Sequence, residues 1–175
     1  MFGSRDCPAK CTFCFRTMGR DYRSNSVGYV MSMLRDLIEK YQINQINISD
    51  EIFSMNRKRI YEFCNELKAL DIPWTCQMRV NMADEELLSR MKDAGCGQIS
   101  YGFESASLTV LRSMKKGILV EQIERAIELT AKHKMTIQGN FIFGDPAETL
   151  QTSLETFEFN RRYRDKNLNL IMLEA

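Results

Sequence analysis

Segments with a helical spacing of apolar residues alternate with short β-rich runs along the whole chain. The β-rich runs cover 43–48, 74–80, 99–103, 136–143 and 168–173. Helical stripes lie around and between them; the first is capped by Ser26 and ends at Tyr41, and the last is marked by Leu150, Leu154 and Phe157. Strands that alternate with helices at this spacing pair in parallel through right-handed crossovers. The alternation therefore predicts an α/β fold.

The predicted sheet is an open barrel. A complete eight-stranded β/α barrel takes about 250 residues, whereas this chain has 175. We therefore expect a partial (open) parallel β/α barrel with about five to six βα units. The domain is expected to cover residues 1–175 and to be truncated at both ends, because little precedes the first motif and the last strand runs to Ala175.

A short segment near the amino terminus carries three cysteines at the spacing C-x-x-x-C-x-x-C, namely Cys7, Cys11 and Cys14. Within one loop they can bind three corners of an iron–sulfur cluster, which usually takes four cysteine thiolates. One iron would then stay open for another ligand. An open metal position distinguishes a reactive site from a structural one. The spacing therefore favours an enzyme in which these cysteines are metal ligands and catalytic.

Two other kinds of site can use closely spaced cysteines. A structural zinc site needs four ligands, but His133 lies between lysines and is expected to face solvent. Cys64, Cys76 and Cys96 lie singly and are interpreted as small core residues. A disulfide scaffold is disfavoured because the chain is long enough to form a core without it. Zinc binding stays open as the main alternative ligand chemistry.

Composition limits the partners and the compartment. The chain is 44% hydrophobic and 27% charged, with a net charge of +1, so no general basic field is available to bind nucleic acid. No apolar run approaches the roughly 20 residues needed to cross a bilayer, and no secretory leader is visible. Cysteines without regular pairing suit a reducing compartment. We therefore expect a cytoplasmic protein.

Polar residues follow the predicted strands. Asp50 and Glu51 come after the first strand, Arg79 ends the second, Glu104 ends the third and Gly144 ends the fourth. In parallel α/β sheets, ligands bind at the carboxyl ends of the strands. Carboxylates and an arginine that meet there can bind a small zwitterionic or ribose-containing ligand.

Several short motifs, in order, are similar to those of one enzyme family. Besides the cysteine segment, they cover residues 4–8, 50–53, 77–80, 94–96, 102–107, 114–117 and 141–149. Together they resemble the radical S-adenosylmethionine (SAM) superfamily, and most of all the branch whose members often carry an upstream cobalamin-binding domain. The resemblance extends over nearly the whole chain.

The resemblance implies a cofactor and a type of reaction. Cys7, Cys11 and Cys14 would hold a 4Fe–4S cluster whose fourth iron binds SAM. An external donor such as a flavodoxin or ferredoxin would reduce the cluster, SAM would be cleaved, and the 5′-deoxyadenosyl radical would take hydrogen from a substrate. Cobalamin would be a further cofactor only with an upstream domain. The alternative is an iron–sulfur electron-transfer or structural metal-binding module without substrate chemistry.

The resemblance also implies contacts to SAM. The backbone at Phe13 would face the adenine, with Ile142 packed on it. Asp50 and Glu51 stand where the family binds the methionyl amino group. Glu104 and Arg79 would contact the ribose or the methionyl carboxylate. Gly144, after the fourth strand, completes the predicted cofactor-binding set.

Overall fold

Strands and helices alternate through the protein, for which a computed structural model describes residues 1–15 and 19–164 and the backbone of 168–174. The strands are β1 (Ser4–Arg5), β2 (Arg23–Ser24), β3 (Ile46–Ile48), β4 (Trp74–Met78), β5 (Cys96–Glu104), β6 (Thr136–Phe143) and β7 (Leu168–Glu174). The helices are α1 (Val27–Tyr41), α2 (Arg57–Lys68), α3 (Glu85–Asp93), α4 (Leu108–Ser113), α5 (Val120–Lys132) and α6 (Leu150–Tyr163).

The last five of these strands form one parallel sheet in the order β3-β4-β5-β6-β7. One row of paired residues crosses it, consisting of Ile48, Cys76, Ile99, Ile137 and Leu168. Because the strands follow chain order and such crossovers are nearly always right-handed, the connecting helices lie on one face. The predicted partial, open β/α barrel is confirmed.

The two faces of the sheet differ in polarity. Along β5, the side chains of Ile99, Tyr101 and Phe103 are fully buried in the core that the helices cover, and the residues between them are only half-buried. The half-buried set is polar: Asn140 Nδ2 on β6 donates to Ser100 Oγ on β5 at 3.0 Å. A strand alternates its side chains between faces. The face away from the helices is therefore a polar lumen.

Cys64, Cys76 and Cys96 are buried in the core on the helical side, as predicted. Burial raises the pKa of the Cys64 thiol to about 12. Trp74 is also fully buried there, and its indole N–H donates to the Ala94 carbonyl at 2.7 Å. These thiols are small core groups.

Ser26 caps α1 as predicted, since its side chain accepts a hydrogen bond from the Tyr29 N–H. Two details at the end of this helix differ from the prediction. Tyr41 is 60% exposed, because it is the last helical residue and lies beyond the packed part of α1. The first strand of the sheet, predicted at 43–48, begins only at Ile46.

The last helix lies where it was predicted but turns a different face to the core. Leu150, Leu154 and Phe157 are exposed, and the buried face carries Thr152, Thr156, Phe159 and Tyr163. The Thr156 hydroxyl accepts a hydrogen bond from the Ala106 N–H at 3.1 Å. This contact orients α6 by polar bonds to the loop after β5, which apolar spacing cannot reveal.

Met1 extends the sheet beside β3. Its amino group donates to the Asn47 carbonyl at 2.7 Å, and its carbonyl accepts from the Ser49 N–H at 2.8 Å. This pair of bonds has the pattern of a parallel bridge to Ile48.

Among the described residues, no helix has the length and apolar character needed to cross a membrane.

Candidate active site

A cavity of about 400 Å³ lies where the cysteine segment meets the carboxyl ends of the strands. Its walls include several of the residues predicted from the sequence, namely Cys7, Cys11, Phe13, Cys14, Glu51, Arg79 and Glu104. They come from the segment before α1 and from the ends of β3, β4 and β5. The sheet therefore brings together groups that are far apart in the chain, at the edge where ligands bind in folds of this kind.

The cysteine segment, residues 7–14, is fixed by one contact just before it and one within it. Before it, Asp6 is buried at a positive φ of 68°, and its carboxylate accepts from Arg23 Nη2 at 2.9 Å. Within it, the Thr12 N–H donates to the Met114 carbonyl at 3.0 Å. The segment is thus tied to the β1–β2 ribbon and to the turn after α4.

The three cysteines of this segment differ in exposure. Cys11 is buried, Cys7 is half-buried and Cys14 is exposed. The pKa of the Cys14 thiol is raised, first by partial burial and then by the neighbouring Cys11. Lys116 lowers this pKa. Arg79 Nη1 lies 3.8 Å from Cys11 Sγ. Two cations therefore stand where thiolates would form.

Glu104 and Lys116 form a buried ion pair in the cavity wall. Lys116 Nζ donates to Glu104 Oε1 at 2.6 Å, and the two side chains are 8% and 7% exposed. Glu104 has a positive φ of 64°, an uncommon conformation for a residue with a side chain. Gly102 leaves room for the pair: a Cβ there would lie 2.3 Å from Glu104 Oε1 and 2.8 Å from Lys116 Nζ.

Arg79 connects the end of β4 to the same wall. Its guanidinium donates to the Lys116 carbonyl through Nη2, while Nη1 points toward Cys11. Glu51 lies across the cavity and is exposed, so its carboxylate is available to a bound molecule. The cavity thus offers carboxylates and cations, as the sequence predicted for a zwitterionic ligand.

Asp50 is not among the residues that line the cavity. It is fully buried, and its carboxylate accepts from the Gly3 N–H at 2.5 Å and from Ser4 Oγ at 2.6 Å. Arg59 Nη1 lies 3.8 Å away. Because the carboxylate is fully buried and already binds these groups, we assign Asp50 to holding the amino-terminal segment on β3.

Ile142 and Gly144 are also outside the described lining of this cavity. Ile142 lies two residues beyond Asn140 on β6, so it shares the polar face with the residue that does line the wall. The Gly144 N–H donates to Glu148 Oε2 at 2.5 Å, and its φ is 102°. Gly144 therefore closes the turn after β6, and Glu148 serves that turn before α6 begins.

Sequence reasoning missed Lys116, Ser100 and Asn140 as parts of the site. Ser100 and Asn140 had a usable signal, since polar residues alternate with apolar ones on both β5 and β6. Such alternation in a parallel sheet indicates one polar face. Lys116 lies in the motif at 114–117, but no periodic pattern relates it to Glu104.

The arrangement of the three loop cysteines fits a cluster better than a single ion. In the part of the chain that the structure describes, no three Cys, His, Asp or Glu side chains surround a point that could hold one metal ion. In a four-iron cluster each cysteine binds a different iron, so the sulfurs need not converge on one point. Cys7, Cys11 and Cys14 share one cavity wall and carry the donor chemistry that a cluster requires.

The prediction that His133 faces solvent is wrong, because its side chain is only 15% exposed. Its Nε2 lies 3.2 Å from Glu85 Oε1, on α3, where Lys132 also binds the carboxylate at 2.8 Å. The histidine is thus held between α5 and α3. Cys64, Cys76 and Cys96 are buried in the core, and His133 lies beside Glu85. None of these four residues therefore completes a four-ligand zinc site with the loop cysteines.

A partial β/α barrel with a three-thiol loop beside a polar cavity has the donor chemistry that an enzyme with an iron–sulfur cluster requires. Comparison with known families agrees: the model of the radical SAM superfamily matches residues 1–159. The chain belongs to the radical SAM superfamily.

Curated relatives share this region over most of the chain. An uncharacterized methyltransferase of Pyrococcus horikoshii is 35% identical over 163 residues, which cover 91% of this chain and 36% of the relative. The anaerobic magnesium-protoporphyrin IX monomethyl ester cyclase of Rubrivivax gelatinosus is 31% identical over 174 residues, covering 97% of this chain and 31% of that enzyme. The chain thus spans about a third of the length of these relatives.

Solved structures confirm the fold. The radical SAM methyltransferase TsrM from Kitasatospora setae, with tryptophan and a SAM analogue bound, superposes with a TM-score of 0.86 at 18% identity, over 97% of this chain and 34% of that one. The cobalamin-dependent SAM radical enzyme OxsB superposes with a TM-score of 0.80 at 24% identity, over 91% and 26% of the two chains.

Thiol alkylation in the metal-free protein should separate the two sets of cysteines. At neutral pH we expect iodoacetamide to modify Cys14 and Cys7 first, because they are exposed and half-buried. Cys64 should react at least about tenfold more slowly, since burial raises its pKa to about 12. Peptide mass spectrometry over time gives the rates; equal labelling of Cys64 and Cys14 would contradict the assignment.

Proposed function

We propose that the chain is the cofactor-binding, radical-generating core of a radical SAM enzyme. The observation that carries the proposal is the single cavity that joins three closely spaced thiols to carboxylates and cations at the carboxyl ends of the strands. Family membership supports the same function.

Cys7, Cys11 and Cys14 would each bind one iron of a 4Fe–4S cluster, which leaves the fourth iron for SAM. A reduced cluster held there would supply the electron for reductive cleavage of the sulfonium C–S bond of bound SAM. The chain's own residues would position the cofactors. The anchored cysteine segment and the polar groups in the cavity wall are suited to this task.

Three charged side chains and the backbone at Phe13 would orient SAM in the cavity. Glu51 and Glu104 carry carboxylates that can accept hydrogen bonds from an ammonium group or ribose hydroxyls. Arg79 supplies a cation for the methionyl carboxylate. The backbone at Phe13 would face the adenine, with Ile142 farther along the same face of β6. Asp50, which the sequence suggested as a contact, is left out because its carboxylate is fully buried and already binds the amino-terminal segment.

The full-length protein would act on an organic substrate in the cytoplasm, with a flavodoxin or ferredoxin as electron donor. The relatives named above are a methyltransferase and a cyclase. Methyl transfer or ring closure is therefore the proposed reaction class. Cobalamin would take part if a domain upstream of this chain binds it.

Product analysis tests the proposal against the alternative of an electron-transfer module. We expect anaerobically prepared protein, reduced with dithionite and mixed with SAM, to release 5′-deoxyadenosine and methionine. Chromatography detects both products. A protein that takes up the cluster but leaves SAM intact would support the electron-carrier alternative and contradict the proposal.

Glu51→Gln should weaken SAM binding with little effect on the fold. The side chain lines the cavity and is exposed, so its loss removes a charged hydrogen-bond acceptor without creating a buried defect. Hydrogen bonds to charged groups contribute about 1.5–3 kcal/mol, which corresponds to roughly a tenfold to hundredfold rise in the SAM Kd. Equilibrium dialysis measures Kd, and an unchanged value would remove Glu51 from the site.

A further inference from the structure

The turn formed by residues 114–117 contacts both the cysteine segment and Glu104 in the cavity wall. The Met114 carbonyl accepts from the Thr12 N–H at 3.0 Å. Lys116 Nζ lies 5.7 Å from the centre of the Phe13 ring. The same Nζ binds Glu104 at 2.6 Å. One short turn therefore connects the segment that would hold the cluster with a residue that would hold SAM.

Lys116 places a cationic side chain in this wall. Among the described residues that line the cavity, Arg79 and Lys116 are the cations, and both face the cysteine segment. Lys116 is 7% exposed, so solvent screens its charge weakly.

The charge of Lys116 is balanced by one carboxylate, and the backbone keeps the two together. Glu104 adopts a positive φ, and Gly102 has no side chain where one would strike both partners. Strained backbone of this kind persists where the surrounding structure requires it, and it clusters at functional sites. The pair is thus built into the wall of the cavity.

We propose that Lys116 tunes the reduction potential of the cluster held by the cysteine segment. Its positive charge raises the potential, and the negative charge of Glu104 lowers it. The inference rests on the proposed function, because it requires that the cysteines hold a cluster. Reduction adds one negative charge at the cluster. A nearby buried cation stabilises the reduced form and raises the potential, and a nearby anion lowers it.

The test uses four variants of the full-length protein, each loaded anaerobically with iron and sulfide. Lys116→Met removes the cation and leaves Glu104 unbalanced, so the midpoint potential should fall. Glu104→Gln removes the anion and should raise it. The double variant removes both charges with nearly matched side-chain volumes, so its potential should return close to that of the unmodified protein. Lys115→Met is the matched control, because Lys115 is exposed and its charge is screened.

Potentiometric titration with titanium citrate, followed by electron paramagnetic resonance, gives each potential. The inference holds if Lys116→Met and Glu104→Gln shift the potential in opposite directions, the double variant compensates, and Lys115→Met changes it least. It is overturned if Lys116→Met loads a cluster with an unchanged or raised potential, or if the double variant shifts as far as Lys116→Met. Failure of the unmodified protein to load a cluster would contradict the proposed function itself.

Discussion

Cys11→Ala is expected to abolish cluster binding while the protein stays folded. The thiol lies in the cavity wall, 3.8 Å from Arg79 Nη1, and it is the central cysteine of the segment. Two thiolates cannot replace three at the corners of a cluster. We expect iron and acid-labile sulfide to fall to background, and 5′-deoxyadenosine formation to be lost with them.

The stability of Cys11→Ala should change little. Cys11 is buried, yet it belongs to the surface segment and is absent from the main core cluster, so the loss should be about 1 kcal/mol. Cys64→Ala is the control: it removes a thiol from the core, should cost at least as much stability and should retain the cluster. A Cys11→Ala protein that keeps its full iron and sulfide would contradict the ligand assignment.

Asp50→Ala is expected to lower the stability of the protein strongly. The substitution removes the acceptor of the Gly3 N–H and of Ser4 Oγ and leaves Arg59 buried beside an uncharged side chain. Loss of one partner of a buried charge pair costs about 3–5 kcal/mol. For a domain of this size each kcal/mol corresponds to about 2–4 °C in Tm, so Tm should fall by roughly 6–20 °C.

The same variant separates the structural role of Asp50 from a role in binding. If Asp50 only holds the amino-terminal segment, the fraction of protein that remains folded at low temperature should bind SAM with a nearly unchanged Kd. Glu51→Gln gives the opposite pattern, with an altered Kd and an unchanged Tm. An Asp50→Ala protein of normal Tm and weakened SAM binding would return Asp50 to the cofactor site.

The sheet was predictable because its strands carry local signals. The strand at 136–143 was predicted with the bounds that the structure shows, since it is rich in β-branched and aromatic residues and lies between a helix and a glycine turn. The carboxyl-edge rule likewise placed Glu51, Arg79 and Glu104 beside the cavity. Periodicity and topology were sufficient for these features.

The parts that sequence reasoning missed depend on contacts between distant segments. Asp50 and Glu51 are neighbours in the chain, yet only Glu51 lines the cavity, because Asp50 is buried and binds the amino-terminal segment. The ion pair of Glu104 and Lys116 depends on a positive φ at Glu104 and on the space left by Gly102. None of these conditions leaves a periodic signal.

The prediction of which face of α6 is buried was wrong for a related reason. Leu150, Leu154 and Phe157 form a helical stripe, but Thr156 binds the loop after β5 and turns this stripe outward. Polar contacts of this kind override the apolar pattern, and only the assembled structure reveals them.

Labelled SAM bound to the reduced, cluster-loaded protein offers the most direct test of the central claim. The claim is that three thiolates of one loop leave a metal vertex for SAM. Electron–nuclear double resonance with ¹⁵N- and ¹⁷O-labelled methionyl groups should show both nuclei coupled to the cluster. A cluster that binds fully but shows neither coupling, with spectra unchanged by SAM, would contradict the account.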